Sequence, residues 1–283
     1  MYDRTSLMGE RRELHAMRKL ILEDKVIIVS GATRGLGLVM ARAFLKHGAY
    51  VVVTGSTKSP ALEAVSLEFG DRAICLEANA TDPNSALNVV DLTMQKWGRI
   101  DVLVNNAGLG MRRISDTFNT VPTKFWEAEV DAWQDIIDTN INGPFYLSRS
   151  VVPCMIEQNG GKIINISTST QTMVRQGYSP YGSSKAFLEA ASRSWAQELS
   201  DAGVTVNVLL PGGATDTDLL PPSKDKKGAD GNLLSPSVMI KPALWLASNS
   251  SDGITGARFI ARHWDDSDPL KARDDAIQQP KIM

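Results

Sequence analysis

Six short apolar runs, separated by segments of helical character, constrain this chain more than any other feature. They lie at 26–29, 50–53, 73–76, 102–104, 162–166 and 204–209. Continuous apolar strands, unlike alternating ones, imply burial on both faces. The helices that cover those faces come between the strands in sequence, which gives an α/β fold: a doubly wound parallel sheet with right-handed crossovers and helices on both faces. The punctuation agrees. Ser59-Pro60 and Asp82-Pro83 read as an N-cap followed by proline at the first helical position, and Gly48, Gly70 and Gly98 fall where helices end. A chain of 283 residues accommodates one large domain. No linker divides it, so the domain is assigned to 24–262, between an N-terminal extension, 1–23, and a C-terminal tail, 263–283.

A net charge of −2 and a pI near 6.0 argue against a nucleic-acid or anionic-membrane binder, whose signature is clustered basic charge. A small molecule is the expected partner. Cys75 and Cys154 lack the spacing of a metal site or a disulfide framework, which fits a reducing cytoplasm. No stretch approaches the roughly 20 apolar residues of a membrane span, and the first 20 residues are charged rather than signal-like. The segment 10–20 reads equally as an amphipathic arm or a surface extension.

Ligands of doubly wound sheets lie beyond the carboxyl ends of the strands. There the first run is followed by Gly31-Ala-Thr-Arg-Gly35-Leu-Gly37, which opens the helical stretch 36–47. Its glycines permit a tight turn and close approach of backbone to a pyrophosphate, whose charge the helix N-terminus favours. Further along, Tyr181 and Lys185 stand four apart in Tyr181-Gly-Ser-Ser-Lys185. On a helix they share one face, where an ammonium favours the ionised form of a phenol. That is a device for moving a proton at neutral pH. Such a pair is common by chance and gains meaning from its company: Asn105-Asn106-Ala107-Gly108 after a strand-like run, Asn140 in a helical stretch, Ile163-Ile-Asn-Ile-Ser167-Thr168-Ser169, and Pro211-Gly212 after another strand.

In this order and at these separations the residues resemble the short-chain dehydrogenase/reductase family, over roughly 24–260. The resemblance implies a single Rossmann-type domain that binds NAD or NADP. It implies hydride transfer between the nicotinamide and a carbonyl or secondary alcohol, with Tyr181 as acid/base. It places Lys185 against both the phenol and the nicotinamide ribose, Asn140 in a water relay behind the lysine, and a substrate-orienting hydroxyl about thirteen positions before the tyrosine. That slot holds Thr168, with Ser167 and Ser169 as close competitors. Tyr178 has Gly182 where a lysine partner would stand, so only Tyr181 is paired. A homotetramer or homodimer is implied, with the helices after Asn140 and Tyr181 as interface candidates.

The cofactor contacts expected on the same basis are Gly31, Thr33, Arg34, Gly35, Leu36 and Gly37 of the turn, and Asn106, Ala107 and Gly108 along the adenosine side. Asn79 stands where the family commonly has Asp against adenine. Asn140, Tyr181, Lys185, Pro211 and Gly212 are further contacts, and Thr215 or Thr217 matches the threonine at the carboxamide end, the spacing being off by one residue. NAD sites of this kind place an acid roughly 20 residues beyond the glycines. Here Val53-Thr-Gly-Ser-Thr-Lys58 offers none, whereas Arg34, Ser56 and Lys58 suit a 2′-phosphate, so NADP(H) is expected over NAD(H). No metal is expected.

Two irregular stretches, 109–127 and the substrate loop at about 213–236, read as lids. Arg112, Arg113 and Arg175 read as solvated arginines or as anchors for a substrate anion, and Phe118, Trp126, Trp133 and Met173 as pocket, core or interface. Candidate substrates are 3-oxoacyl thioesters, sugars or polyols, and cyclic alcohols. The competing readings are a catalytically silent NADP-binding regulator or scaffold, which the retained Tyr181 and Lys185 disfavour, and non-redox chemistry on the same scaffold. The tail at 263–283 lacks the short Asp-Gly-Gly ending common in the family, so the site is expected to be covered differently.

Overall fold

A computed structural model describes residues 21–222, 226–228 and 231–274. The segment 10–20 therefore lies outside the described residues. Seven parallel strands form one sheet: β1 (Val26–Val29), β2 (Tyr50–Gly55), β3 (Ala73–Glu77), β4 (Val102–Asn105), β5 (Gly161–Ile166), β6 (Val204–Leu210) and β7 (Arg258–Ile260), in the order β3-β2-β1-β4-β5-β6-β7. The chain winds outward from β1 to β3, then returns to lay β4 on the other side of β1. A crevice opens at that reversal, beyond the carboxyl ends of β1 and β4.

Strand parity divides the core. Ile27, Val29, Val51, Val53, Val102 and Val104 face one layer, against Met40 and Phe44 of α1 (Gly35–Lys46). Ile28, Val52, Leu103 and Ile163 face the other, against Val89 and Val90 of α3 (Pro83–Trp97) and Val151 and Met155 of α5 (Gly143–Glu157). Both layers are mainly apolar, which is why β1, β2 and β4 read as continuous apolar runs, while the buried Asn105 and Asn165 are bonded to each other and to Ser148 and Ser192. The helix α2 (Pro60–Phe69) has the Ser59 hydroxyl at its start, accepting from the Leu62 amide at 3.4 Å, and α3 has the Asp82 carboxylate on the Asn84 amide at 2.9 Å. Gly98 ends α3 in the left-handed region at φ +69°.

The remaining helices are α4 (Val130–Ile137), the short α6 (Thr170–Met173), α7 (Tyr181–Glu198) and α8 (Ile240–Ala247). Sequence pattern located six of the seven strands. It missed β7, three residues long and opening on an arginine, whose edge is extended by a bridge from Phe259 to Arg273. Among the described residues no helix is long and apolar enough to cross a membrane.

Candidate active site

The glycine turn is tight for reasons visible atom by atom. Gly31 has φ +62°, and a Cβ there would sit 2.6 Å from the Ala107 Cα; one on Gly37 would sit 2.6 Å from the Gly31 carbonyl oxygen. The end of β4 is tied down on this turn. Ser30 Oγ accepts from the Asn106 and Ala107 amides at 3.0 Å each, and Asn106 Nδ2 donates to the Ser30 and Gly31 carbonyls at 3.0 and 2.8 Å. Arg34 is the N-cap of α1 and bonds none of the first-turn amides with its side chain, which leaves a helix N-terminus suited to an anion. Gly31→Ala is expected to destabilise the protein by about 1–3 kcal/mol and to weaken dinucleotide binding, since both the backbone conformation and the contact with Ala107 oppose a methyl group. Urea unfolding and a cofactor titration read the two effects separately.

The four residues expected to move a proton come from three places: the segment 138–142, the loop after β5 and the start of α7. Asn140 is fully buried in a π-helical segment, Asp138–Asn142, between α4 and α5. Its Oδ1 accepts from the Leu109 amide at 2.8 Å, and its Nδ2 donates to the Leu109 carbonyl at 2.9 Å and to Ser184 Oγ at 3.0 Å. Lys185 is buried and its Nζ donates to the Ile166 carbonyl at 2.9 Å. A Cβ on Gly108 would lie 3.3 Å from Asn140 Oδ1 and 3.6 Å from Lys185 Nζ, so the end of the β4 loop borders both. Gly182 lets the first turn of α7 press on α6, since a Cβ there would meet the Thr172 carbonyl at 2.6 Å.

Burial pushes the Tyr181 phenol above its usual pKa; a side-chain hydrogen bond from Thr168 pulls against this, and Tyr178 adds to the rise. Burial lowers the Lys185 ammonium to about 8, with the charge of Glu189 opposing. Of the three adjacent hydroxyls, that of Thr168 lines the cleft with Tyr181 and is the one that acts on the phenol's pKa. Ser167 Oγ donates to Glu189 Oε1 at 2.7 Å, and Ser169 Oγ caps α6 by accepting from the Thr172 amide at 3.2 Å.

One cleft of about 1420 Å³ runs from Ser56 and Asn79 past the glycine turn to Tyr181 and Lys185. That exceeds the roughly 300–1,000 Å³ of a drug-sized site and gives room for a dinucleotide beside a substrate. All the expected site residues line it except Gly37 and Asn140, which stand behind its wall. Thr217 lies over the turn, its Cγ2 3.2 Å from where a Gly35 Cβ would be, whereas Thr215 is buried and bridged to Leu234. Asn79 Oδ1 accepts from the Thr81 amide at 3.1 Å, and Lys58 does not line the cleft.

The model of the short chain dehydrogenase family matches residues 25–228. The chain belongs to that family. Among curated relatives it is 32% identical over 241 residues to the 3-oxoacyl-(acyl-carrier-protein) reductase FabG of Escherichia coli, covering 83% of this chain and 94% of that protein. It is 35% identical over 194 residues to the 3-oxoacyl-(acyl-carrier-protein) reductase of a Synechocystis species, covering 68% and 74%. The solved 3-ketoacyl-(acyl-carrier-protein) reductase of Brucella melitensis, complexed with NADH, superposes with a TM-score of 0.73 at 29% identity, covering 84% of this chain and 96% of the other. This short-chain dehydrogenase is an NAD(P)-dependent oxidoreductase acting on a carbonyl or hydroxyl group.

The three arginines at the rim each have a different partner. Arg112 Nε bonds Asp116 Oδ1 at 3.0 Å and its Nη1 reaches the Asp218 carbonyl at 2.9 Å, joining the two irregular stretches; Arg113 Nε bonds Asp135 Oδ2 at 2.7 Å. Arg175 lies over the Tyr178 ring at 5.2 Å. Phe118 is buried with its ring edge-on to Tyr178, while Trp126 is 68% exposed. Sequence reasoning missed Glu189, Arg258 and Asp274, which lie behind Ser167 and Thr168. An arginine in a strand-like apolar setting was their only trace in the sequence.

Proposed function

We propose that the protein is an NADP(H)-dependent reductase of 3-oxoacyl thioesters, with Tyr181 as the proton donor. The observation that carries this reading is the convergence of Thr168 and Lys185 on the Tyr181 end of the long cleft. Tyr181 Oη gives its proton to the substrate carbonyl oxygen. Lys185 Nζ, anchored on Ile166, supplies positive charge beside the phenolate that forms, and Thr168 Oγ1 donates to the same substrate oxygen. Asn140, its side-chain amide taken by Leu109 and Ser184, braces the wall that carries Gly108. The bound nicotinamide supplies the hydride. Gly31, Gly35 and Gly37 shape the pyrophosphate cradle, with Gly37 acting from behind it.

The thioester class is supported by the 3-oxoacyl reductases that match over most of their length. NADP(H) is supported by the acid-free segment 53–58 and by Arg34 at the cleft, although the Brucella relative holds NADH. Arg34 lies 3.4 Å from Asp218 with both side chains about two-thirds exposed, a pair weak enough for a phosphate to displace. A homotetramer or homodimer follows the family resemblance, and light scattering measures it.

Fluorescence titration with NADPH and NADH, followed by absorbance loss on a 3-oxoacyl thioester such as acetoacetyl-coenzyme A, tests the proposal. Tighter NADPH binding with turnover is expected. A preference for NADH refutes the phosphate site, and turnover confined to sugars or cyclic ketones refutes the thioester. Arg34→Ala is expected to weaken NADPH about 10-fold or more while leaving NADH nearly unchanged in the same titration.

A further inference from the structure

Behind the Tyr181 wall lies a charge cluster that proton transfer does not use directly. Arg258 opens β7, and its side chain is 2% exposed. Its Nε contacts both Glu189 carboxylate oxygens, at 3.0 and 3.1 Å; its Nη1 reaches Asp274 Oδ2 at 2.6 Å; and its Nη2 donates to the Thr168 carbonyl at 2.9 Å. Glu189 lies on α7 one turn beyond Lys185 and also accepts from Ser167 Oγ at 2.7 Å. Asp274 comes from the C-terminal segment, which is seated by its own amide on the Arg258 carbonyl at 2.8 Å and by the bridge from Arg273 to Phe259.

Burying a guanidinium is costly, and a buried ion pair seldom improves on well-packed apolar side chains. Stability alone is therefore a weak reason for three charged groups here. Their contacts have a direction: Arg258 holds the main chain of Thr168 and Glu189 holds the side chain of Ser167, so the cluster grips both residues that set the Thr168 hydroxyl. Asp274 holds the far side of the guanidinium and keeps its Nη2 aimed at Thr168.

We propose that Arg258, Glu189 and Asp274 are positioning residues that fix the Thr168 hydroxyl against Tyr181, so that the C-terminal segment completes the active site of the same chain. This rests on the role given to Thr168 above. Rigid placement is what makes such a donor effective, and a displacement of about 1 Å can cost up to about 100-fold in rate.

Asp274→Asn tests it, because the amide keeps the shape and removes the charge from a partly exposed position. With NADPH and the 3-oxoacyl thioester, kcat is expected to fall about 10-fold with the NADPH Kd and the melting temperature near wild type. Asp274→Glu should recover most of the loss. In a Thr168→Val background, Asp274→Asn should add nothing further, since both changes act on one hydroxyl. The inference is overturned if Asp274→Asn keeps kcat within about twofold of wild type, if its effect is the same in the Thr168→Val background, or if the lost rate matches only a lost folded fraction. Thr168→Val alone separates the two levels: a wild-type rate there removes the role of Thr168 and the inference with it, while an impaired rate beside an unaffected Asp274→Asn removes only the inference.

Discussion

Tyr181→Phe is expected to lower kcat for carbonyl reduction by about 10²–10⁴-fold while the NADPH Kd stays near wild type. The substitution keeps the ring that packs at the start of α7 and removes only the hydroxyl. Burial raises the phenol's pKa in the free protein, so the group waits in its protonated form, the form that reduction consumes. Losing it leaves Thr168 alone to stabilise the substrate oxygen. Single-turnover measurements at saturating cofactor separate this from slow product release. A variant that kept more than about a tenth of the wild-type rate would show that another group delivers the proton.

Lys185→Met is expected to be nearly as damaging to turnover and to have the opposite consequence for stability. The ammonium is held at about 8 by burial, below the 10.5 of an unfolded chain. A lowered lysine pKa means that folding disfavours the charged form. The penalty is therefore complete below about 8 and fades as pH rises toward 10.5. Its size at neutral pH is about 3 kcal/mol. Methionine removes it but leaves the Ile166 carbonyl without its donor, at about 1–3 kcal/mol. At pH 7 the variant should melt no lower than wild type, with kcat reduced by two orders of magnitude or so. The wild-type rate of reduction should fall as pH rises through about 8, where the ammonium is lost, and the variant should show no such limb. Thermal melts and pH–rate profiles of both proteins decide it.

Much of this was legible before any coordinates. Continuous apolar runs gave the strands because both faces are buried, and Ser59, Asp82 and Gly98 marked helix ends because each meets a local backbone demand. Tyr181 and Lys185 were legible as one face of a helix, and the glycines as a turn. What escaped depends on partners remote in sequence. Arg258 meets Glu189 across 69 positions and Thr168 across 90, a relation that no local spacing reports. The three hydroxyls at 167–169 were inseparable because β5 ends at Ile166, where strand alternation stops assigning faces. Arg113 and the main-chain contact of Arg112 were ambiguous because their partners are distant, Asp135 on α4 and the Asp218 carbonyl, although Asp116 stands only four positions from Arg112.

The order of the strands also has a consequence for synthesis. β1 to β3 emerge consecutively and pair side by side, and β4 then closes the cofactor turn against β1. β7 and Asp274 come last, at the sheet's far edge. Domains begin to form while the ribosome is still working, so a nascent chain holds the glycine turn, Tyr181 and Lys185 well before Arg258 exists to meet Glu189. A product cut short ahead of residue 258 would carry the whole recognisable signature and a carboxylate, Glu189, stripped of its guanidinium and left with the Ser167 hydroxyl. Such a truncation should surface as a substrate for proteolysis rather than as a weak enzyme.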